Sequence, residues 1–124
     1  MNRAVPAKKD QIRALLSGSV RDLLRERGFG DVDDVRPYLS VTCSELRRFL
    51  RSHSALAEEY FHRLHGRQAA GDVYRIDRVE SGYQVAWFDN HGKPEEARIF
   101  SEVGDAVADY VSAATGGLPS GGPD

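Results

Sequence analysis

The pattern of apolar and polar positions changes period twice along this chain. From Asp10 onward, Ile12, Leu15, Leu16, Val20, Leu23 and Leu24 recur at helical spacing, while Arg13, Arg21, Asp22, Arg25 and Glu26 occupy the other side. The spacing predicts one amphipathic helix with Gly18 in its middle, tolerated at about 1 kcal/mol relative to alanine. Arg25 and Arg27 followed by Gly28 give the expected end, cations in the last turn and then a glycine. The stretch from Phe29 to Val41 mixes Gly30, Asp31, Asp33, Asp34 and Pro37 with Val32, Val35 and Leu39, which predicts a loop or short extended segment. Arg36, standing before Pro37, is pushed away from helix. Thr42 and Glu45 have the spacing of a capping box. Leu46, Phe49 and Leu50 then supply a buried stripe, Ser52-His53-Ser54 interrupts it, and Leu56, Tyr60, Phe61 and Leu64 resume it as far as Gly66.

Past a polar connector at Arg67 to Gly71 the period falls to two. Asp72 to Glu80, Tyr83 to Phe88 and Glu96 to Phe100 are short runs rich in β-branched and aromatic residues, separated by Ser81-Gly82 and by Asp89-Asn90-His91-Gly92-Lys93. In the second run Tyr83, Val85 and Trp87 alternate with Gln84, Ala86 and Phe88, so both faces carry aromatics and this strand is expected at the centre. A last helical stripe follows Ser101 through Val103, Ala106, Val107, Tyr110, Val111 and Ala114. The expected fold is therefore α+β. Three N-terminal helices lead into a three-stranded antiparallel meander sheet, and a C-terminal helix packs on it, with part of the other sheet face left open. One globular domain over residues 1–115 and a flexible Gly/Pro-rich tail over 116–124 complete the expectation.

Charge sharpens the choice of partner. Lys and Arg number 17 against 19 acidic residues, a formal charge of -2, which gives no global field toward nucleic acid or an anionic membrane. No signal peptide or spanning helix is expected, so the chain should remain cytoplasmic. Cys43 is the single cysteine, which excludes an internal disulfide and a multi-cysteine metal site. At a predicted helix start its thiol is a candidate nucleophile, against the plainer reading of a small half-buried residue. Glu58, His62 and His65 share one helical face as candidate metal ligands, against the reading of solvated histidines beside Arg63 and Arg67. Gly28-Phe29-Gly30 matches no phosphate-binding loop, and nothing in the chain implies a cofactor. Arg47, Arg48 and Arg51, with Tyr74, Trp87 and Phe88 on strands, support nucleic-acid binding as the second-ranked function.

The acidic side favours a protein partner. Asp31, Asp33 and Asp34 crowd a loop that also carries Arg36 and Tyr38, and such a loop can steer toward and plug a cationic cleft. Equally, Asp31 and Asp34 can simply cap and turn the chain. The second candidate surface is the turn from Asp89 to Glu96, with His91, Glu95, and Trp87 or Phe88.

The stretch from Val73 to Lys93, then Arg98-Ile99-Phe100, then Val103 to Tyr110, resembles the C-terminal half of small immunity proteins of bacterial polymorphic toxin systems. In those proteins a hairpin with a Gly-bearing turn leads into an Arg-x-Phe-type strand and a closing helix rich in Ala and aromatics. The resemblance implies a cytoplasmic antidote with no activity of its own that binds a cognate toxin domain and blocks its active site or holds it inactive; the chain itself is expected to be a monomer or weak dimer. Toxin domains that degrade NAD, ADP-ribosylate proteins or cut nucleic acid often present basic clefts, which would suit Asp31, Asp33 and Asp34. An adaptor within a secretion apparatus is a further alternative.

Overall fold

The computed structural model describes residues 6–66, 74–89, 91–115 and 117–118. Within them the protein is α+β, with five α-helices and one three-stranded antiparallel sheet. In chain order these are α1 (Lys8–Ser17), α2 (Val20–Glu26), a 3-10 turn (Arg36–Tyr38), α3 (Cys43–Ser52), α4 (Ser54–Gly66), β1 (Tyr74–Val79), β2 (Gly82–Phe88), β3 (Pro94–Phe100) and α5 (Val103–Ala114). The expected connector at 67–71, Asp72 and Val73 of the expected first strand, and residues 116 and 119–124 of the expected tail lie outside the described residues. No helix among the described residues is long and apolar enough to cross a membrane.

The long first helix of the sequence pattern is two helices, so four rather than three precede the sheet. Gly18 is the reason. It takes a left-handed conformation with φ 73°, and the Ser19 amide donates back to the Ala14 carbonyl at 2.9 Å, which closes α1 at Ser17. The Ser17 hydroxyl, donating to the Arg13 carbonyl at 2.8 Å, competes for the same helix end. The apolar spacing runs through the break because α2 resumes with Val20 and Leu24 buried. A second difference lies at Arg36, which begins a single 3-10 turn rather than extended chain. The Asp34 carboxylate accepts from the Arg36 amide at 3.1 Å, and Tyr38 donates to the Val35 carbonyl at 3.0 Å, so the turn closes without an N–H from Pro37.

The third strand begins at Pro94, two residues before the expected Glu96, while two helix boundaries agree with the local sequence. The capping box forms as predicted: the Glu45 amide donates to the Thr42 hydroxyl at 3.1 Å, and the Glu45 carboxylate accepts from the Thr42 amide at 3.1 Å. The interruption at His53 separates α3 from α4, with the His53 ring stacked on Phe49 at 4.4 Å.

Two compact units make up the chain, one formed by residues up to Leu46 together with those from Val111 on, the other by Arg47–Tyr110. In the first, the Gln11 side chain is wholly buried and fully bonded. Its amide nitrogen donates to the Pro6 carbonyl at 2.6 Å and the Ser40 hydroxyl at 2.9 Å, and its oxygen accepts from the Ser40 and Val41 amides at 2.8 and 3.1 Å. Ion pairs from Lys8 to Glu45 at 2.6 Å and Arg27 to Asp10 at 3.1 Å lie on the same unit's surface.

The second unit holds the sheet, in the order β1-β2-β3 that the aromatic alternation of β2 predicts. Glu80 and Ser81 connect β1 to β2, with Val79 paired to Gly82. Neither Glu80 nor Ser81 has a positive φ; Gly82 takes it, at 144°, as the first residue of β2. A Cβ on Gly82 would lie 2.2 Å from the Phe100 carbonyl oxygen, so close approach of the end of β3 demands glycine there. One sheet face presents Tyr74, Ile76, Arg78, Tyr83, Val85 and Trp87. Helices meet this face. Phe61 of α4 packs edge-on against Tyr83 at 5.1 Å, and Tyr110 of α5 stacks on Tyr74 at 5.1 Å. The opposite face is mixed, with Ala86 fully buried and Ile99 49% exposed.

Candidate protein-binding site

The ten residues singled out by sequence fall into two separate groups, one in each unit. In the first group, two of the three loop aspartates already hold arginines. Arg36 makes a two-pronged contact with Asp34, Nε to Oδ1 at 3.0 Å and Nη2 to Oδ2 at 2.9 Å, and this bonding draws the Asp34 carboxyl below its ordinary range. Arg25 lies 3.0 Å from Asp31. The backbone carbonyl of Asp33 accepts from Arg21 at 2.9 Å, and among the described residues its carboxylate alone of the three has no arginine. Tyr38 packs its ring on Phe29 at 5.2 Å. Most of the charge that would project a field from this loop is thus matched locally by arginine.

The second group forms the end of the β2–β3 hairpin. Asp89 is its organiser: one carboxylate oxygen accepts from the His91 amide at 2.9 Å and the Lys93 amide at 2.8 Å, while the Asp89 amide donates to the Lys93 carbonyl at 2.9 Å. One side chain thus pins the amides of His91 and Lys93, and Gly92, as the residue order predicts, takes the left-handed position with φ 74°. Two steps along β2, from Val85 to Trp87, match three along β3, from Arg98 to Glu95, so β3 carries a bulge. Glu96 sits in it with φ 51°, the one described non-glycine residue in the left-handed region. The bulge leaves Glu95 directly across from Trp87.

Trp87 is 42% exposed, yet it is not loose. Tyr74, its partner on β1, lies 4.5 Å away ring to ring, and Tyr110 stacks on Tyr74 at an interplanar angle of 13°. Arg98 locks the row: its Nε donates to Asp109 at 2.8 Å and its Nη2 to the Tyr74 hydroxyl at 3.1 Å. Burial, with the Asp109 carboxylate adding to it, pushes the Tyr74 hydroxyl up to about 12, so it stays a neutral donor and acceptor. The Asp109 hydrogen bond in turn raises Arg98 above its ordinary value. Sequence reading named Trp87 but missed Tyr74, Arg98, Asp109 and Tyr110 as its supports. The signal was present: once a two-residue turn at Glu80–Ser81 is assigned, counting back along the hairpin places Tyr74 beside Trp87.

The other candidates are drawn into structural contacts. Glu58 accepts from the Tyr83 hydroxyl at 2.7 Å and from Arg78 at 3.3 Å, and burial followed by this bond raises the Tyr83 hydroxyl. His62 lies 3.5 Å from Glu58, but His65 turns to the Ile76 carbonyl at 3.0 Å. No three His, Cys, Asp or Glu side chains converge as metal ligands among the described residues. Arg51 of the basic run is held two-pronged by Asp105, at 2.8 and 2.9 Å. Comparison with protein families, with curated proteins and with solved structures finds no match to this chain.

Proposed function

We propose that this protein is an immunity-type inhibitor, which binds a cognate secreted toxin domain in the cytoplasm, occludes its active site and performs no catalysis itself. The observation that carries this reading is the half-exposed, firmly supported Trp87 between Tyr74 and Glu95. An indole left in water forgoes about 25 cal/mol for each Å² of apolar surface that burial would gain. Held in one position by neighbouring rings, it loses little further freedom on docking, and tryptophan so placed is the residue type that most often dominates a protein interface. Glu95 and Glu96 beside it suit a partner with a basic cleft, the electrostatic complement expected for the toxin. The loop at Asp31 to Tyr38 takes the lesser role, since Arg25 and Arg36 already neutralise two of its carboxylates.

Co-expression with the toxin domain encoded immediately upstream tests the reading. The wild-type chain should rescue growth and co-purify with that domain. Trp87→Ala should raise the dissociation rate roughly 30-fold or more, the scale of a central interface residue, at a temperature where circular dichroism shows the variant still folded. Asp33→Arg should mainly slow association. If the wild-type chain neither rescues nor binds, the proposal fails.

A further inference from the structure

The sheet repeats one small device. In each case an arginine lies over an aromatic ring while its guanidinium also reaches a carboxylate. Arg78 is the first case: its guanidinium carbon lies 5.3 Å from the Tyr83 ring centroid and 5.8 Å from that of Phe61, while Nη2 is 3.3 Å from Glu58. Arg75 is the second, 5.7 Å from the Phe88 centroid and 3.4 Å from Asp77. Trp87 and Glu95 are a third ring and carboxylate, set directly across the β2–β3 ladder from one another, where facing side chains stand within about 5.5 Å at Cβ. Here no arginine or lysine among the described residues lies over the indole or pairs with the carboxylate, Arg98 nearby being held by Asp109 and the Tyr74 hydroxyl, although tryptophan offers the strongest ring face of the three.

We infer that Trp87 and Glu95 form a seat for an arginine or lysine side chain presented by the partner protein. This deepens the inhibitor reading and rests on it for the identity of the partner. Tyr74 closes one side of the indole at 4.5 Å, so the incoming cation takes the side toward Glu95. Arginine fits better than lysine, because its planar guanidinium stacks on the ring while its N–H groups still reach the carboxylate. Asp89, committed to the turn amides, and Arg98, committed to Asp109, hold the surroundings in place and are not themselves the seat.

Trp87 is the only tryptophan of the chain, so its fluorescence reports this position alone. The probe is an acetylated triarginine amide at low salt, with the triglutamine counterpart as the neutral control. A saturable fluorescence change is expected with triarginine and not with triglutamine, and it should weaken as salt is added. Glu95→Gln should weaken binding roughly threefold, the worth of one exposed ion pair. Glu80→Gln, which removes an exposed carboxylate from the turn at the opposite end of β2, should leave it unchanged. Absence of a saturable change overturns the inference, and so does equal weakening by Glu80→Gln, which would mean only general attraction of arginine to an acidic protein. The two readings fail separately: a lost seat with growth rescue intact removes only this inference, whereas a working seat without rescue removes the toxin-inhibitor function.

Discussion

Replacing Gln11 by alanine removes a side chain that satisfies three buried or half-buried main-chain groups at once. The Gln11 oxygen accepts from the Ser40 and Val41 amides, and its nitrogen donates to the Pro6 carbonyl. Ser40 is exposed, so its amide can turn to water; Val41 is 0% exposed and Pro6 is buried, so their groups cannot. Each stranded group costs about 1–3 kcal/mol, and with the lost side-chain packing the total is about 3–4 kcal/mol. That is a large part of the 5–15 kcal/mol by which a typical domain is stable. For a chain of this length it corresponds to a fall in melting temperature of roughly 11–15 °C. Thermal unfolding followed by far-ultraviolet circular dichroism measures it, with Ser17→Ala on the exposed side of the same helix expected to stay within about 0.5 kcal/mol. A drop of less than about 3 °C for Gln11→Ala would refute the reasoning, because it would mean that the Val41 amide and Pro6 carbonyl find other partners.

Three further outcomes follow from the geometry. Gly82→Ala combines positive φ with a Cβ 2.2 Å from the Phe100 oxygen, so it should cost at least about 3 kcal/mol in chemical denaturation; a loss near zero would contradict the close approach. The Tyr74 hydroxyl, raised from 10.0 to about 12, favours the folded state fully below its unfolded value, and that contribution disappears as pH rises from about 10 through about 12. Alkaline unfolding monitored beside phenolate absorbance should therefore be less steep in Tyr74→Phe than in the wild type, and identical curves would count against it. Thr42→Ala removes the acceptor for the Glu45 amide and should cost about 1 kcal/mol by urea unfolding; an unchanged midpoint would mean that the capping box adds nothing to stability.

Much of the fold was legible because it is decided by neighbours in sequence. The Thr42–Glu45 box, the break at His53 and the Asp89 turn each depend on a few consecutive residues, and each forms where its residues predict. The central place of β2 followed from aromatics on both of its faces. Where local signals conflicted, the pattern misled. The apolar spacing continued smoothly past Gly18, but spacing is blind to the backbone conformation a glycine permits, so one helix was expected where α1 and α2 stand.

The candidate site divides in the same way. Sequence by itself determined that an acidic, tyrosine-bearing loop and a tryptophan-bearing hairpin are the two chemically distinctive surfaces, since residue type and turn chemistry suffice for that. Only the tertiary structure decided their character. Arg25 and Arg36 neutralise Asp31 and Asp34 through side-chain conformations that no spacing rule contains. Trp87 gains its support from Tyr74 through strand register, from Tyr110 through the packing of α5, and from Arg98 through an ion pair between β3 and that helix. These contacts join residues distant in the chain, and side-chain chemistry takes effect only after the backbone has brought the partners within reach.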